Sequence, residues 1–392
     1  MTKKINFNIL ESLRGLAALY VCIGHCRALL WIGGNEYVRQ HSSLKTSDYL
    51  VLGLNMLTRL SSEFVIVFFV LSGFSIAHSL RNSKAPLPFY KRRFVRLYPP
   101  YIVALLWGML VVGIIGFIQP HFTDGTYATP VFDRLLNSQH LFTWRAFLKS
   151  LFYLPNIDGV LGPFWSLTQE VIFYLLAPFI FRNTKIYYFI SALLFSLVVF
   201  ARTQHLIEES IITNYFFFNF FFAVGAYAYY NYEWILQRTR FLLNTKALWI
   251  SMGLYFLMIG VSLKGFQDVN ALIAALTSLL LIFYFSFNNK EVKWLIGVGS
   301  LSYTLYITHY PTIFLYMTAY YVLTKTSPPY IHNNFVFIPC VLLCIGVAYT
   351  QYYFVERKSK QILDRLRSKE VKKKEIKAVV SAAPAIVEKN NS

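Results

Sequence analysis

Charge is what this chain has least of. Only 14% of its 392 residues are charged and 56% are hydrophobic, where ordinary soluble domains carry about 25% charge. Acidic charge is scarcer still, with 18 Asp and Glu facing 37 Lys and Arg. That shortage excludes a soluble fold, because so much apolar sequence would need a far larger charged surface to cover it. Cysteine is nearly absent: Cys22, Cys26, Cys340 and Cys344 form two i,i+4 pairs, and no C-x-x-C occurs. Two cysteines so spaced on one helix are badly placed for a disulfide. The four are expected as small interior residues, with metal binding the lesser alternative and no metal assigned. A cleavable signal peptide is also missing, since Glu11 and Arg14 interrupt the first apolar run and no small-residue cleavage site follows. No internal repeat, linker or soluble catalytic module stands out.

What is present are apolar blocks of about 20 residues, the length that spans a hydrocarbon core. They predict ten spans, near 11–31, 62–80, 98–118, 161–181, 186–201, 211–230, 247–263, 267–287, 295–323 and 334–355. The expected fold is an all-α integral membrane protein, one bundle of those ten transmembrane helices. The net charge of +19 invites a nucleic-acid reading, but its placement argues against one. With the N-terminus inside, Arg81, Lys84, Lys91, Arg92, Arg93 and Arg96 fall between the second and third spans, and a basic run from Arg357 to Lys389 follows the last. This is the positive-inside asymmetry, which puts both termini in the cytoplasm. It makes anionic membrane lipids the partner of the basic tail and leaves nothing for nucleic acid. Residues 1–358 read as the membrane domain and 359–392 as a basic cytoplasmic tail, helical at first and disordered from Ser381 on. Two outer stretches, 32–61 and 119–160, are long enough to roof a cavity or meet a large substrate.

Against this apolar background the ionisable residues carry the information. Arg14 and His25 lie in the first span; their spacing amounts to about three helical turns, so they share a face about 16 Å apart along the axis. Ionisable groups at membrane depth cost about 2.5–3.5 kcal/mol each, so they normally face protein or a wet cavity. The plainer alternative is a snorkelling arginine and a histidine bonded between helices. Ser72-Gly73, at the end of the second span, is a small-residue step that permits close helix approach and could leave room for a thin ligand arm. Lys91, Arg92, Arg93 and Arg96 precede the third span. Guanidinium groups match phosphate oxygens bidentately, and lipid contact explains the same cluster without a ligand. Glu170, in the fourth span, is expected at the depth of His25, where a carboxylate could orient and polarise the imidazole. An interhelical structural bond is the alternative. His309, in the ninth span, reads as a satisfied core histidine. Trp144, Trp165 and Tyr127 suit stacking on sugar faces, as they also suit an interfacial aromatic belt.

Taken together these residues resemble acyltransferase family 3, the integral membrane O-acyltransferases of envelope carbohydrates. The family's first-span arginine and histidine, separated by ten residues, match Arg14 and His25. Its F-F-x-x-S-G-F, R-x-x-R-L-x-P, W-S-L-x-x-E-x-x-F-Y and S-Y-x-L-Y-x-x-H patterns match Phe68 to Phe74, Arg93 to Pro99, Trp165 to Tyr174 and Ser302 to His309. The resemblance implies transfer of an acyl group, usually acetyl, from acyl-CoA such as acetyl-CoA to a hydroxyl of a lipopolysaccharide, O-antigen or exopolysaccharide unit. It implies a multi-pass protein of the bacterial inner membrane. A coenzyme site is then expected at Arg14, Ser72, Arg92, Arg93 and Arg96, and a catalytic pair at His25 and Glu170, with His25 as general base. Direct transfer and a covalent route through His25 or Ser72 both stay open. So do two readings of another class: a transporter or flippase of a glycan lipid with a buried polar pathway, and a sensor that binds acyl-CoA without turnover.

Overall fold

The computed structural model describes residues 5–31, 33–40, 43–81, 86–118, 144–154, 161–324, 335–366 and 368. All regular structure among them is helical. In chain order the helices are α1 (Phe7–Leu30), α2 (Gly34–Gln40), α3 (Thr46–Met56), α4 (Ser61–Arg81), α5 (Pro86–Ile118), α6 (Trp144–Leu151), α7 (Phe164–Ile180) and α8 (Thr184–Thr203). There follow α9 (Ile211–Tyr230), α10 (Tyr232–Thr239), α11 (Thr245–Leu263), α12 (Gln267–Asn288), α13 (Lys293–Ser300), α14 (Ser302–Thr324) and α15 (Phe337–Leu366).

Among the described residues, eight helical runs are long and apolar enough to cross a membrane: α1, α3 with α4, α5, α8, α9, α11, α12 and α15. Ten spans were expected, and the difference lies in two places. The fourth expected span is α7, apolar but only 17 residues long. The ninth is broken at Leu301 into α13 and α14. In α14 the buried residues include Thr304, Thr308, His309, Thr312 and Thr318, which lowers its hydropathy although it packs inside the bundle. The outer stretch 32–61, expected as a loop, contains α2 and α3; residues 119–143 and the tail from 369 lie outside the described residues. Helix α15 continues beyond the expected domain boundary at 358, through a five-residue π-turn at Tyr352–Glu356.

Two helix crossings fix the geometry. A Cβ added at Gly73 would collide with the Phe222 carbonyl, and one at Gly225 with the Val70 carbonyl, so α4 and α9 touch backbone to backbone. Gly15 and Gly299 let α1 and α13 meet in the same way, Gly299 against the Glu11 carbonyl. Two apolar clusters follow. One is centred on α4 and α9 and is rich in phenylalanine; the other joins the outer half of α1 to α14 and α15 around Cys22, Cys26, Phe314 and Cys344. Outward faces such as Phe189, Leu197 and Phe200 of α8 stay exposed, as lipid-facing residues must. Pro99 and Pro100 sit inside α5, where the missing N–H groups would weaken a soluble helix. Around this point neighbouring helices brace the backbone, Gln351 Nε2 donating to the Pro100 carbonyl (2.6 Å) and Tyr303 OH to the Leu97 carbonyl (3.1 Å). At the N-terminus, Asn6 and Asn8 donate to Glu291 at 2.5 and 3.1 Å, and those bonds hold its carboxyl below the usual glutamate range.

Candidate functional site

Five of the seven residues singled out from the sequence meet in one slender cavity of about 60 Å³: Arg14, Ser72, Arg93, Arg96 and Glu170. Each arrives for a local reason. Gly73 pins α4 to α9, and the neighbouring Ser72 turns toward α7, where its hydroxyl donates to Glu170 Oε1 at 2.7 Å. One turn beyond Glu170, Tyr174 donates to the same oxygen. Arg14 is anchored by Ser75 Oγ (2.8 Å) and the Leu71 carbonyl (3.4 Å), both on α4. The Arg93 guanidinium lies 5.4 Å from the ring centroids of both Phe89 and Tyr174, and its buried Nε has no hydrogen-bond partner. Guanidinium planes held on aromatic faces keep their in-plane donors for an anion. Arg92 is half-buried and is not among the residues lining the cavity.

His25 also lies outside that lining. Its Nδ1 is 2.8 Å from His309 Nε2, the two rings lie nearly parallel at 8° with centroids 5.2 Å apart, the edge-to-edge geometry of an in-plane hydrogen bond, and Tyr310 meets His25 edge-on. His309 Nδ1 in turn faces the Leu305 carbonyl at 3.0 Å. The expected pairing of His25 with Glu170 is therefore replaced by two separate pairs, Ser72–Glu170 and His25–His309. The physical reason is depth: Glu170 shares a cavity with Arg14 of α1, about three helical turns along that helix from His25. His309 is buried and bonded as a core histidine should be, yet its second nitrogen meets His25. Tyr306, one turn before His309, links the two pairs. It lines the cavity, bonds Ser166 Oγ at 2.6 Å and lies 5.8 Å from the His309 ring.

Sequence reasoning missed Ser75, Ser166, Tyr174 and Tyr306 as site residues. Ser166, Tyr174 and Tyr306 stand inside the quoted motifs, and the i,i+4 spacing of Glu170 and Tyr174 was a usable signal. It missed Glu356 as well, a buried carboxylate that accepts from Thr304 and pairs with Lys360 at 3.3 Å. For metal, the sulfurs of Cys22, Cys26 and Cys344 lie within 4.8 Å of one another among the described residues. All four cysteines are fully buried within the second apolar cluster, the environment expected of small interior residues. Trp165 is described below; the Trp144 side chain and Tyr127 lie outside the described residues.

A family model described as an acyltransferase domain matches residues 7–353. The chain is 34% identical over 134 residues to a Streptomyces mycarofaciens protein named acyltransferase MdmB, covering 33% of this chain and 30% of that one. It is 29% identical over 182 residues to a Rhizobium radiobacter protein named protein 2 in picA locus, covering 42% of this chain and 78% of that one. The match thus spans under a third of the Streptomyces relative's length. No solved structure matches the chain.

Proposed function

Because the chain belongs to the acyltransferase family whose model spans residues 7–353, we propose that it is a membrane O-acyltransferase. In this reading it moves an acyl group, acetyl in the simplest case, from cytoplasmic acyl-CoA to a hydroxyl of an envelope or exported carbohydrate, in a bacterial inner membrane. One observation carries it: three arginines and the Ser72–Glu170 pair share a slender cavity whose far wall, Tyr306, abuts a histidine pair. Coenzyme phosphates suit Arg14, Arg93 and Arg96, with Arg92 at the mouth, and a thin pantetheine arm suits the narrow passage past Ser72.

The hydrogen-bond chain supplies the base. A backbone carbonyl can only accept, so His309 Nδ1 carries the hydrogen directed at Leu305. Neutral His309 then offers a lone pair at Nε2, and His25 Nδ1–H donates to it. His25 Nε2 keeps its own lone pair, the form a general base requires. It takes the proton of the acceptor hydroxyl as that oxygen attacks the thioester carbonyl. The C–S bond then breaks, and the departing coenzyme thiolate receives the proton from His25. A second route is favoured by the Ser72 hydroxyl already donating to Glu170, the arrangement of an activated nucleophile; it predicts ping-pong kinetics, where direct transfer predicts a ternary complex.

The test supplies membranes holding wild-type or His25→Ala protein with acetyl-labelled coenzyme A and an envelope polysaccharide fraction. Label is expected in base-labile ester on carbohydrate only with the wild type. Equal labelling by His25→Ala would remove His25 from the mechanism. No labelling with acetyl, succinyl or longer donors, in membranes that still move a lipid-linked glycan, would make the protein a transporter.

A further inference from the structure

A second cavity, of about 1170 Å³, opens at the opposite end of the bundle from Arg14. It is built from helix ends: the last turn of α1 brings Arg27, the start of α4 is preceded by Arg59, and the end of α8 brings Arg202. Arg27 and Arg59 are close enough to repel each other. Among the described residues neither lies within ion-pair distance of a carboxylate. The Nε atoms of Arg27 and Arg202 are buried without a hydrogen-bond partner. Arg202 gives one donor to Asn214 (2.6 Å) and rests on the Phe217 ring. Among the described residues the Arg59 guanidinium has one hydrogen-bond contact, to the Met56 sulfur at 3.4 Å. Like charges held together with unspent donors are costly until an anion joins them. Glu63, Glu209 and Asp268 also line the cavity, Glu63 accepting from Asn270 at 2.8 Å and attracting Arg59, and Asp268 attracting Arg202. The four arginines Arg27, Arg39, Arg59 and Arg202 thus exceed the carboxylates by one charge.

The floor of this cavity is aromatic. Trp165 is 36% exposed there, and its ring packs on Phe218 (5.0 Å) and Phe69 (6.4 Å). The next residue, Ser166, lines the other cavity, so the Trp165–Phe69–Phe218 group forms the wall between the two. Arg27 and His25, two residues apart on α1, leave nearly opposite faces of that helix. The contact from this wall to the histidine pair runs instead through Ser166, next to Trp165, and Tyr306, which lies 5.8 Å from the His309 ring.

We propose that this outer cavity binds the acyl acceptor, and that the acceptor is an anionic saccharide. A carboxylate or phosphate of the glycan sits between Arg27 and Arg59, a sugar ring lies on Trp165, and the acidic group thereby sets which hydroxyl approaches the histidine pair. This rests on the acyl-transfer reading, and its test separates the two.

Full-length protein in nanodiscs would be titrated with trigalacturonic acid, with its neutral methyl ester, with a prenyl-diphosphate-linked N-acetylglucosamine and with free N-acetylglucosamine. Ester formation would be followed in parallel. At least one acidic probe is expected to bind about 10- to 100-fold tighter than its neutral partner, the worth of a charge-assisted bond. Arg27→Gln and Arg59→Gln should each abolish most of that margin while leaving the KM for acyl-CoA unchanged. The trigalacturonate arm winning would identify a uronic-acid carboxylate, and the diphosphate arm a phosphate. Equal affinity for acidic and neutral probes, or a margin that survives both variants, would overturn the anionic site even with acyl transfer intact. An Arg27-dependent margin without ester formation from any donor would keep the site and sink the acyl-transfer reading.

Discussion

At the scale of single residues, the decisive arrangement is the relay Leu305 carbonyl, His309, His25, in which each bond sets the tautomer of the next ring. His309 is then a positioning residue whose replacement acts through His25. His309→Leu leaves His25 Nδ1–H without an acceptor, and kcat is expected to fall about 10²-fold, within the usual worth of general-base help, while the KM for acyl-CoA stays put. His309→Gln, whose side-chain oxygen can accept that hydrogen, should recover part of the rate, and steady-state kinetics of the pair decide it. Equal losses in both variants would mean that His309 only packs. On the coenzyme side, Arg93→Lys removes the planar fork held between Phe89 and Tyr174. The KM for acyl-CoA should rise about tenfold with kcat little changed. The identities of Arg14, His25, Glu170 and the arginine cluster were legible because charge is conspicuous in apolar sequence. Their pairing was not. Sequence gives only an approximate depth along a helix, and Glu170 meets Ser72 and Arg14 instead of His25 because the short α7 sits deeper against α4 and α1 than its apolar run suggested.

The helices, one scale up, depend on where backbones touch. Gly225 meets the Val70 carbonyl, whereas Gly253 and Gly260 on α11 have open space where a Cβ would stand. Gly225→Leu is therefore expected to abolish assembly, and Gly225→Ala to lower the thermal midpoint in detergent by several degrees, since overpacking costs about 1–3 kcal/mol. Gly253→Ala should leave the midpoint unchanged in the same fluorescence-monitored melt. The Ser72-Gly73 step announced this crossing in the sequence, though not its partner: α9, lying 138 positions or more downstream of Gly73 in chain order, can be matched to α4 only in three dimensions. The break at Leu301 was hidden for a different reason. No charge or proline marks the stretch from Leu295 to Leu305. The stop coincides with Gly299 pressing on α1 and with Ser300 and Ser302 bonding back to the Gly297 and Gly299 carbonyls, a small-residue signal outweighed by its apolar neighbours.

For the whole molecule, the +19 charge and its lopsided placement give the expected orientation. Both termini are expected on the cytoplasmic side: a protease-sensitive tag appended after Ser392 should survive protease added to intact spheroplasts and be cut once they are lysed. Cleavage in intact cells would reverse the bundle and exchange the roles of its two cavities. The aromatic wall of Trp165, Phe69 and Phe218 between those cavities has a physiological consequence. In the expected orientation each side of the bilayer reaches into the bundle through its own cavity, and among the described residues this ring cluster stands between them. Under the proposed reaction, an uncharged two-carbon fragment crosses by changing its covalent owner, while protons and ions meet stacked rings. The cell can then decorate its outer surface with carbon from central metabolism without discharging the electrochemical gradient that powers everything else in that membrane.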